Sequence, residues 1–147
     1  MQAGERELHF EALASLVVAN ARVGITITDA AGLILYVNRA FTEVTGYAPE
    51  EVIGQNPRLL HSGRHPPAYY EEMWRALLER GSWQGEIWNR RKSGAEYPEW
   101  LSIVAVRDTT GELTNYCAIF SDISERKRAE ETLTHLALHD ALTDLPN

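Results

Sequence analysis

The sequence predicts an α+β fold built on a five-stranded antiparallel sheet. Two strand-like runs come early in the chain and three longer ones come late, with a block of helical segments between them. Strands segregated around a helical block favour an antiparallel sheet that helices cover on one face. The chain has 147 residues, of which 44% are hydrophobic, so it predicts one packed domain with flanking segments.

An amphipathic helix is predicted at the start of the chain, over Glu5–Asn20. Its apolar residues follow the spacing i, i+3, i+4 and i+7, which places on one face Phe10, Leu13, Ala14 and Val17. This helix is expected to contribute to a dimer interface.

Two strands and two short helices are predicted next. The strands are Val23–Asp29 and Leu33–Val37, with the tight turn AAG between them, and the alternation in ITITD is typical of a half-buried strand. Asn38 in the N-cap position and Gly46 beyond the last turn predict a short helix. Another helical turn begins at Pro49.

A longer helix is predicted over Pro66–Gly81, since prolines are common at helix starts and glycine at helix ends. Five residues form its apolar face, which is predicted to be core: Tyr70, Met73, Trp74, Leu77 and Leu78. In an alternative interpretation, Trp74 or Tyr70 also lines a cavity.

Three long strands follow, in WQGEIWNRRK, YPEWLSIVAVRD and LTNYCAIFSD, with turns at KSGAE and DTTGEL. The last helix is predicted to begin near Asp122, because Asp122 and Glu125 have capping-box spacing. A short heptad seam then follows 4-3-4 spacing through Ala129, Leu133, Leu136 and Asp140. It predicts a parallel coiled coil between two copies, and a single helix lying on the domain is the alternative.

Charge and composition narrow the function classes. The net charge of -7 disfavours nucleic acid and anionic membrane surfaces as partners. No apolar run approaches the roughly 20 residues of a membrane span, and no signal-peptide pattern opens the chain. The single cysteine, Cys117, cannot form an internal disulfide. We therefore expect a cytoplasmic protein.

Several motifs together resemble the PAS sensor domain. They are GITITDAAGLILYVNRAFTEVTGYAPEEVIGQNPRLL, WQGEIWNRRKSGAEYPEWLSI and FSDISERKRAEE, and the resemblance covers roughly residues 12 to 130. Asp122-Ile123-Ser124 resembles the signature at which a PAS sheet leads into its output helix. The resemblance implies an N-terminal helix over 1–20, a PAS domain over 21–123 and a signalling linker helix over 124–139.

The segment LALHDALTDLPN resembles the opening of a GGDEF diguanylate cyclase domain, D-x-L-T-x-L-x-N. The matching residues are Asp140, Leu142, Thr143, Leu145 and Asn147. The resemblance implies that residues 140–147 begin such a domain, in which Asn147 would help bind the guanine of GTP. The Gly-Gly-Asp-Glu-Phe signature is absent from the sequence, so this fragment is expected not to be an enzyme.

These resemblances imply a sensory and dimerisation module that regulates a cyclic-di-GMP enzyme through its exit helix. One alternative is a flavin-binding redox or oxygen sensor. Another is a ligand-free PAS domain that serves only dimerisation. In each case a homodimer is expected, through the N-terminal helix, the sheet face and a C-terminal coiled coil.

A flavin is the leading cofactor candidate, as FAD or FMN. Light-oxygen-voltage domains carry G-x-N-C-R-F-L-Q, which resembles this chain at Gly54, Asn56, Arg58 and Leu60. Pro57 replaces the reactive cysteine, so a thiol adduct to flavin is excluded. It also replaces the glutamate of NifL-type redox sensors.

The NifL-type branch is similar in W-x-G and WNRRK, and it implies flavin contacts at Asn56, Asn89 and Trp74. Glu99 replaces a flavin-contacting Asn, and Phe120 replaces a Gln or His. In the alternative interpretation, Asn56 caps a turn and Asn89 bonds the backbone or an Arg side chain. Another small ligand is the third possibility.

Histidine pairs do not predict a metal site. His61 and His65 lie in a Gly/Pro loop, where they are expected to be solvated. His135 and His139 are spaced i, i+4 on the last helix, and the glutamate of an H-E-x-x-H motif is absent between them. Haem is disfavoured as well, because the segment 69–80 contains no histidine.

Overall fold

A computed structural model describes the backbone of residues 3–143 and the side chains of residues 4–139. Its elements in chain order are α1 (Ala3–Asn20), β1 (Gly24–Asp29), β2 (Ile34–Val37), α2 (Arg39–Thr45), α3 (Pro49–Val52), a 3₁₀ helix (Pro57–Leu60), α4 (Pro67–Arg80), β3 (Ser82–Arg90), β4 (Glu96–Arg107), β5 (Leu113–Asp122) and α5 (Ser124–Thr143). The order predicted from the sequence is therefore correct for the strands and α-helices, with boundaries that differ by one or two residues, and the 3₁₀ helix is an element that was not predicted.

The five strands form one antiparallel sheet in the order β2-β1-β5-β4-β3. The last strand along the chain thus lies at the centre, paired with β1 on one side and β4 on the other. The predicted α+β class with a five-stranded antiparallel sheet is confirmed. Because β5 leads directly into α5, the exit helix begins at the middle of the sheet.

Two clusters of buried apolar side chains lie between the sheet and the helices. One joins α2, α3 and the 3₁₀ helix to the sheet through Ile34, Val37, Phe41, Val52, Leu60 and Phe120. The other joins α4 to β3 and β5 through Met73, Leu77, Ile87 and Tyr116. Members of both clusters line one cavity, which is described below.

Asn38 caps α2 as predicted, and its side chain also hydrogen-bonds the backbone of α1 and of β1. The Oδ1 atom accepts from the backbone N–H of Phe41 at 3.1 Å and of Ile25 at 2.9 Å. The Nδ2 atom donates to the carbonyl oxygens of Val18 at 3.0 Å and Val23 at 2.9 Å. One buried amide therefore ties α1, β1 and α2 together.

The predicted core face of α4 is too wide. Met73 and Leu77 are buried, whereas 43% of Trp74 and 63% of Leu78 are exposed. Only a narrow stripe of the helix faces the sheet, because consecutive residues are rotated by about 100°. Leu78 therefore points away from the core, and Trp74 lies at its margin.

The apolar residues of both flanking helices are exposed in the single chain. Those of α1 include Phe10, Leu13 and Val17, and those of α5 include Leu133 and Leu136. The side chain of Asp140, the last position of the predicted seam, lies outside the described residues, as do Leu145 and Asn147. Over the part of the chain that the structure describes, no helix is long and apolar enough to span a membrane.

Candidate functional site

A cavity of about 300 Å³ lies between the helices and the inner face of the sheet. Its lining is mostly apolar and comes from every strand of the sheet, from α2, α4 and the 3₁₀ helix. The structure brings together in this lining all five residues predicted as ligand contacts, namely Asn56, Trp74, Asn89, Glu99 and Phe120.

Asn56 caps the 3₁₀ helix and also lines the cavity. Its Oδ1 accepts from the backbone N–H of Arg58 at 3.0 Å, which caps the 3₁₀ helix. Pro57 is the first residue of that helix, where its missing N–H leaves no hydrogen bond unmade. The capping interpretation of Asn56 is therefore correct for its oxygen, and its amide nitrogen stays available.

Asn89 and Glu99 form the polar end of the cavity. The two residues are only 6% and 2% exposed, and Nδ2 of Asn89 donates to Oε1 of Glu99. Within the part of the chain that the structure describes, neither Oδ1 of Asn89 nor Oε2 of Glu99 has a hydrogen-bond partner. The alternative that Asn89 bonds the backbone or an arginine is wrong, because the β3–β4 register brings it to Glu99 instead.

Burial raises the pKa of Glu99 to about 8, and the nearby Asp122 carboxylate adds to this effect. The hydrogen bond from Asn89 and the charge of Arg91 act in the opposite direction and are outweighed. At neutral pH most of Glu99 is therefore a neutral acid. Its free oxygen then carries a proton that can be donated, while Oδ1 of Asn89 can only accept.

The remaining walls are apolar and aromatic. Phe120 is 4% exposed and packs edge-to-face on Phe41, with 6.0 Å between ring centroids. Trp74 packs edge-to-face on Tyr116 at 5.3 Å. The phenyl ring of Phe120 offers a ligand surface contact without a hydrogen bond, whereas the indole N–H of Trp74 is a donor.

The loop before α4 closes one side of the cavity with stacked rings. His61 stacks on Tyr70 at 4.1 Å, and His65 stacks on Tyr69 at 4.3 Å between centroids. Nε2 of His65 accepts from the backbone N–H of Trp88 at 2.8 Å. Both histidines are half-buried rather than fully solvated, because the loop folds back on β3.

Desolvation, followed by nearby positive charge, lowers the pKa of His61 and of His65, which favours the neutral form of both rings. The hydroxyl of Tyr70 is buried in the same wall and has no partner among the described residues. Sequence reasoning treated Tyr70 as a core residue with a possible second role. The sequence indicated that Tyr70 could line the same cavity as Trp74, because the two residues are four apart and share one face of the helix.

Arg91 and Asp122 connect the polar end of the cavity to α5. The Arg91 guanidinium donates to Oδ2 of Asp122 at 2.7 Å and to the carbonyl oxygen of Val44 at 2.6 Å, and it stacks over Tyr97 at 4.1 Å. Burial alone would raise the pKa of Asp122, but hydrogen bonds from Ser124 and Arg91 hold it below its ordinary value. Asp122 is therefore an ionised carboxylate.

No group of three or more potential metal ligands occurs among the residues that the structure describes. The cavity lining contains one histidine, His61, whose ring is stacked on Tyr70.

Residues 22–125 match the family described as PAS domain. The chain belongs to the PAS domain family. The PAS domain is 40% identical over 131 residues to a nitrogen fixation regulatory protein of Klebsiella oxytoca, a match that covers 88% of this chain and 26% of the relative. The chain thus spans about a quarter of the length of that relative.

Solved structures of PAS domains have the same fold. A PAS domain from Colwellia psychrerythraea superposes with a TM-score of 0.74 at 23% identity, covering 79% of this chain and 98% of that one. The LOV domain of a blue-light activated histidine kinase from Erythrobacter litoralis has a TM-score of 0.64 at 27% identity, covering 69% and 96%. This PAS domain is therefore similar to domains of sensory and regulatory proteins.

Proposed function

We propose that this PAS domain is a sensory module whose cavity binds a flavin, FAD or FMN, and whose exit helix passes the state of the cavity to an output partner. The observation that carries the proposal is the pair of unpartnered atoms, Oδ1 of Asn89 and Oε2 of Glu99, at the end of an otherwise apolar cavity. Buried polar atoms are nearly always hydrogen-bonded, so this pair is available to the polar edge of a ligand.

The pair matches one edge of a flavin ring. The pyrimidine part of the isoalloxazine ring carries carbonyl oxygens beside a ring N–H. Oδ1 of Asn89 would accept from that N–H, and the protonated Glu99 would donate to a carbonyl oxygen. Each such bond contributes about 0.5–1.5 kcal/mol net, and leaving the protein atom unpaired costs more. The neutral form of Glu99 thus allows it to replace an amide donor.

Other residues favour an oxidation–reduction signal over a photochemical one. Pro57 cannot form a thiol adduct, and Cys117 lies on β5 outside the cavity lining. A flavin supplies reversible electron and proton transfer when bound. The solved neighbours include LOV domains, and the curated relatives include a nitrogen fixation regulator and an aerotaxis receptor. These names support a sensory role without fixing the ligand.

The test is reconstitution of the purified chain with FAD or FMN, read by the visible absorbance and the quenched fluorescence of bound flavin. Glu99→Ala and Asn89→Ala are expected to weaken binding at least tenfold, whereas Glu99→Gln, which keeps a donor, retains it. Glu112→Ala, an exposed acid in a turn, is the control. A wild-type chain that takes up no flavin contradicts the cofactor, and equal binding by both alanine variants contradicts the contacts.

A second proposal concerns the output, and the carboxyl-terminal sequence favours it. DALTDLPN has the opening pattern of a diguanylate cyclase domain, and α5 continues unbroken to Thr143. We infer that residues 124–139 are a linker helix and that the full-length protein makes cyclic-di-GMP. Its rate of GTP turnover should differ between oxidised and reduced states. An unchanged rate across redox conditions and ligands would contradict this regulation.

Dimerisation would make such an output possible, since two cyclase domains must face each other. The apolar residues of α1 and α5 are exposed, and so are residues on the outer sheet face, including Trp100, Val104 and Ile119. We propose a homodimer in the cytoplasm through these surfaces. A ligand-free dimerisation domain remains the alternative, and flavin uptake decides between the two.

A further inference from the structure

We propose that the ionisation state of Glu99 controls how firmly the start of α5 is held, so that this residue links the cavity to the output helix. The link runs through Asp122, which lies between Glu99 and the helix. The proposal deepens the proposed sensory function by naming its regulation, but it does not depend on which ligand binds.

Strand register brings the two acids together. Glu99 on β4 and Asp122 on β5 are directly opposite partners in the antiparallel ladder. Side chains of opposite residues lie on the same face of the sheet, with Cβ atoms about 5 Å apart. Pro98, the residue before Glu99, also joins β4 to the segment that precedes α5, because its carbonyl oxygen accepts from the N–H of Ile123 at 3.0 Å.

The carboxylate of Asp122 holds the first turn of α5. Its Oδ1 accepts from the backbone N–H of Ser124 at 2.9 Å and from the Ser124 hydroxyl at 2.5 Å. Its Oδ2 accepts from Arg91 at 2.7 Å. An acid at this position satisfies N–H groups that the helix itself leaves unpaired. The start of α5 therefore depends on the position and charge of this side chain.

The charged groups around Glu99 decide what its ionisation does. On the sheet side these are Asp122 of β5, Arg91 after β3 and the phenol of Tyr97 on β4. Across the cavity, the titratable lining residues of the 3₁₀ helix, the following loop and α4 are Arg58, His61 and Tyr70.

A neutral Glu99 leaves Arg91 paired with Asp122. An ionised Glu99 adds a second negative charge beside Asp122 and competes for Arg91. The hydrogen bonds that Asp122 accepts from Ser124 in the first turn of α5 then weaken. Glu99 can lose its proton in two ways. At raised pH the proton goes to solvent. With a ligand bound, the proton moves along the hydrogen bond from Oε2 to an acceptor atom of the ligand. In both cases the O–H bond breaks and the carboxylate stays in the protein.

Hydrogen exchange of the amides of residues 124–128 tests the proposal in the ligand-free chain, with rates corrected for intrinsic pH dependence. In the wild-type chain we expect protection to fall roughly fivefold as pH rises through about 8, an effect of the size that loss of a helix cap gives. Glu99→Gln, which cannot ionise, should keep full protection throughout. Flavin binding is measured separately by absorbance. A chain that binds no flavin therefore contradicts the proposed cofactor without affecting this test of Glu99.

Two further variants keep the test decisive. Asp122→Asn should abolish the pH dependence, while ¹³C NMR of the Glu99 carboxyl group still records its titration. Glu86→Gln is the matched control, since Glu86 pairs with Lys127 of α5 at 2.7 Å and its loss should lower protection equally at all pH values. The proposal is overturned if Glu99→Gln keeps the wild-type pH dependence, or if Glu99 titrates without any change at 124–128.

Discussion

Gly24 on β1 and Phe120 on β5 are opposite partners in the central ladder, and the Phe120 ring occupies the space where a side chain at position 24 would lie. The absence of a side chain at Gly24 thus lets the ring lie over the strand. From there it packs on Phe41 and forms one wall of the cavity. The Phe120 ring therefore fits in this place because position 24 carries no side chain.

Gly24→Ala should lower the free energy of unfolding by about 1–3 kcal/mol, because the added methyl overlaps a ring in a packed core. Urea denaturation measures the change. Gly4→Ala, at an open position on α1, should have little effect. Phe120→Leu should recover part of the loss when combined with Gly24→Ala. Additive losses in the double variant would show that the ring is not the cause.

Glu99 should make stability depend on pH. Its pKa rises from 4.5 in the unfolded chain to about 8 in the folded protein, so the unfolded state loses this proton first. The contribution of Glu99 to the free energy of unfolding is therefore complete below pH 4.5 and falls until pH reaches about 8. Glu99→Gln should flatten this decline, as urea denaturation at several pH values would record. Parallel curves for both proteins would contradict the buried neutral acid.

Asn38→Ala should destabilise the domain by about 3 kcal/mol or more. The substitution removes four hydrogen bonds at a residue that is 2% exposed, and it leaves buried backbone groups unpaired. Asn38→Asp should cost at least as much as Asn38→Ala, because a buried carboxylate oxygen would then face the carbonyl oxygens of Val18 and Val23 in place of the amide donor. Asn20→Ala, an exposed amide with a single local bond, is the control and should be nearly neutral. Thermal denaturation that ranks these three variants differently would contradict the account.

Leu13→Asp and Val17→Asp should weaken self-association at least tenfold, as measured by sedimentation equilibrium. The two side chains are 47% and 66% exposed in the single chain, and a charge in a buried apolar interface is costly. Ser15→Asp adds the same charge on the opposite side of α1 and should leave association unchanged. Equal association by all three variants would place the interface elsewhere.

Local patterns predicted the elements of this fold because each depends on neighbouring residues. Asn38 and Gly46 bound α2 by their own backbone chemistry. The alternation in ITITD marks β1 correctly as a strand but not its buried face, because Thr26 and Thr28 are buried against the cavity while Ile27 is partly exposed. The resemblance of the motifs to a known family also predicted five ligand-contact residues, and all five line one cavity. Periodicity overestimated the core face of α4, since Leu78 is apolar but exposed. The width of a buried stripe depends on what packs against it.

The sequence by itself determined the order of helices and strands, the fold class and the residues worth examining at the cavity. Tertiary structure decided how those residues pair. The bond from Asn89 to Glu99 depends on the register of the β3–β4 ladder, and the neutral state of Glu99 depends on burial by helices far away in sequence. The pairing of Glu99 with Asp122 across the β4–β5 ladder depends on β5 lying beside β4 at the centre of the sheet. Register and burial are properties of segments brought together by folding, so short-range sequence patterns do not contain them.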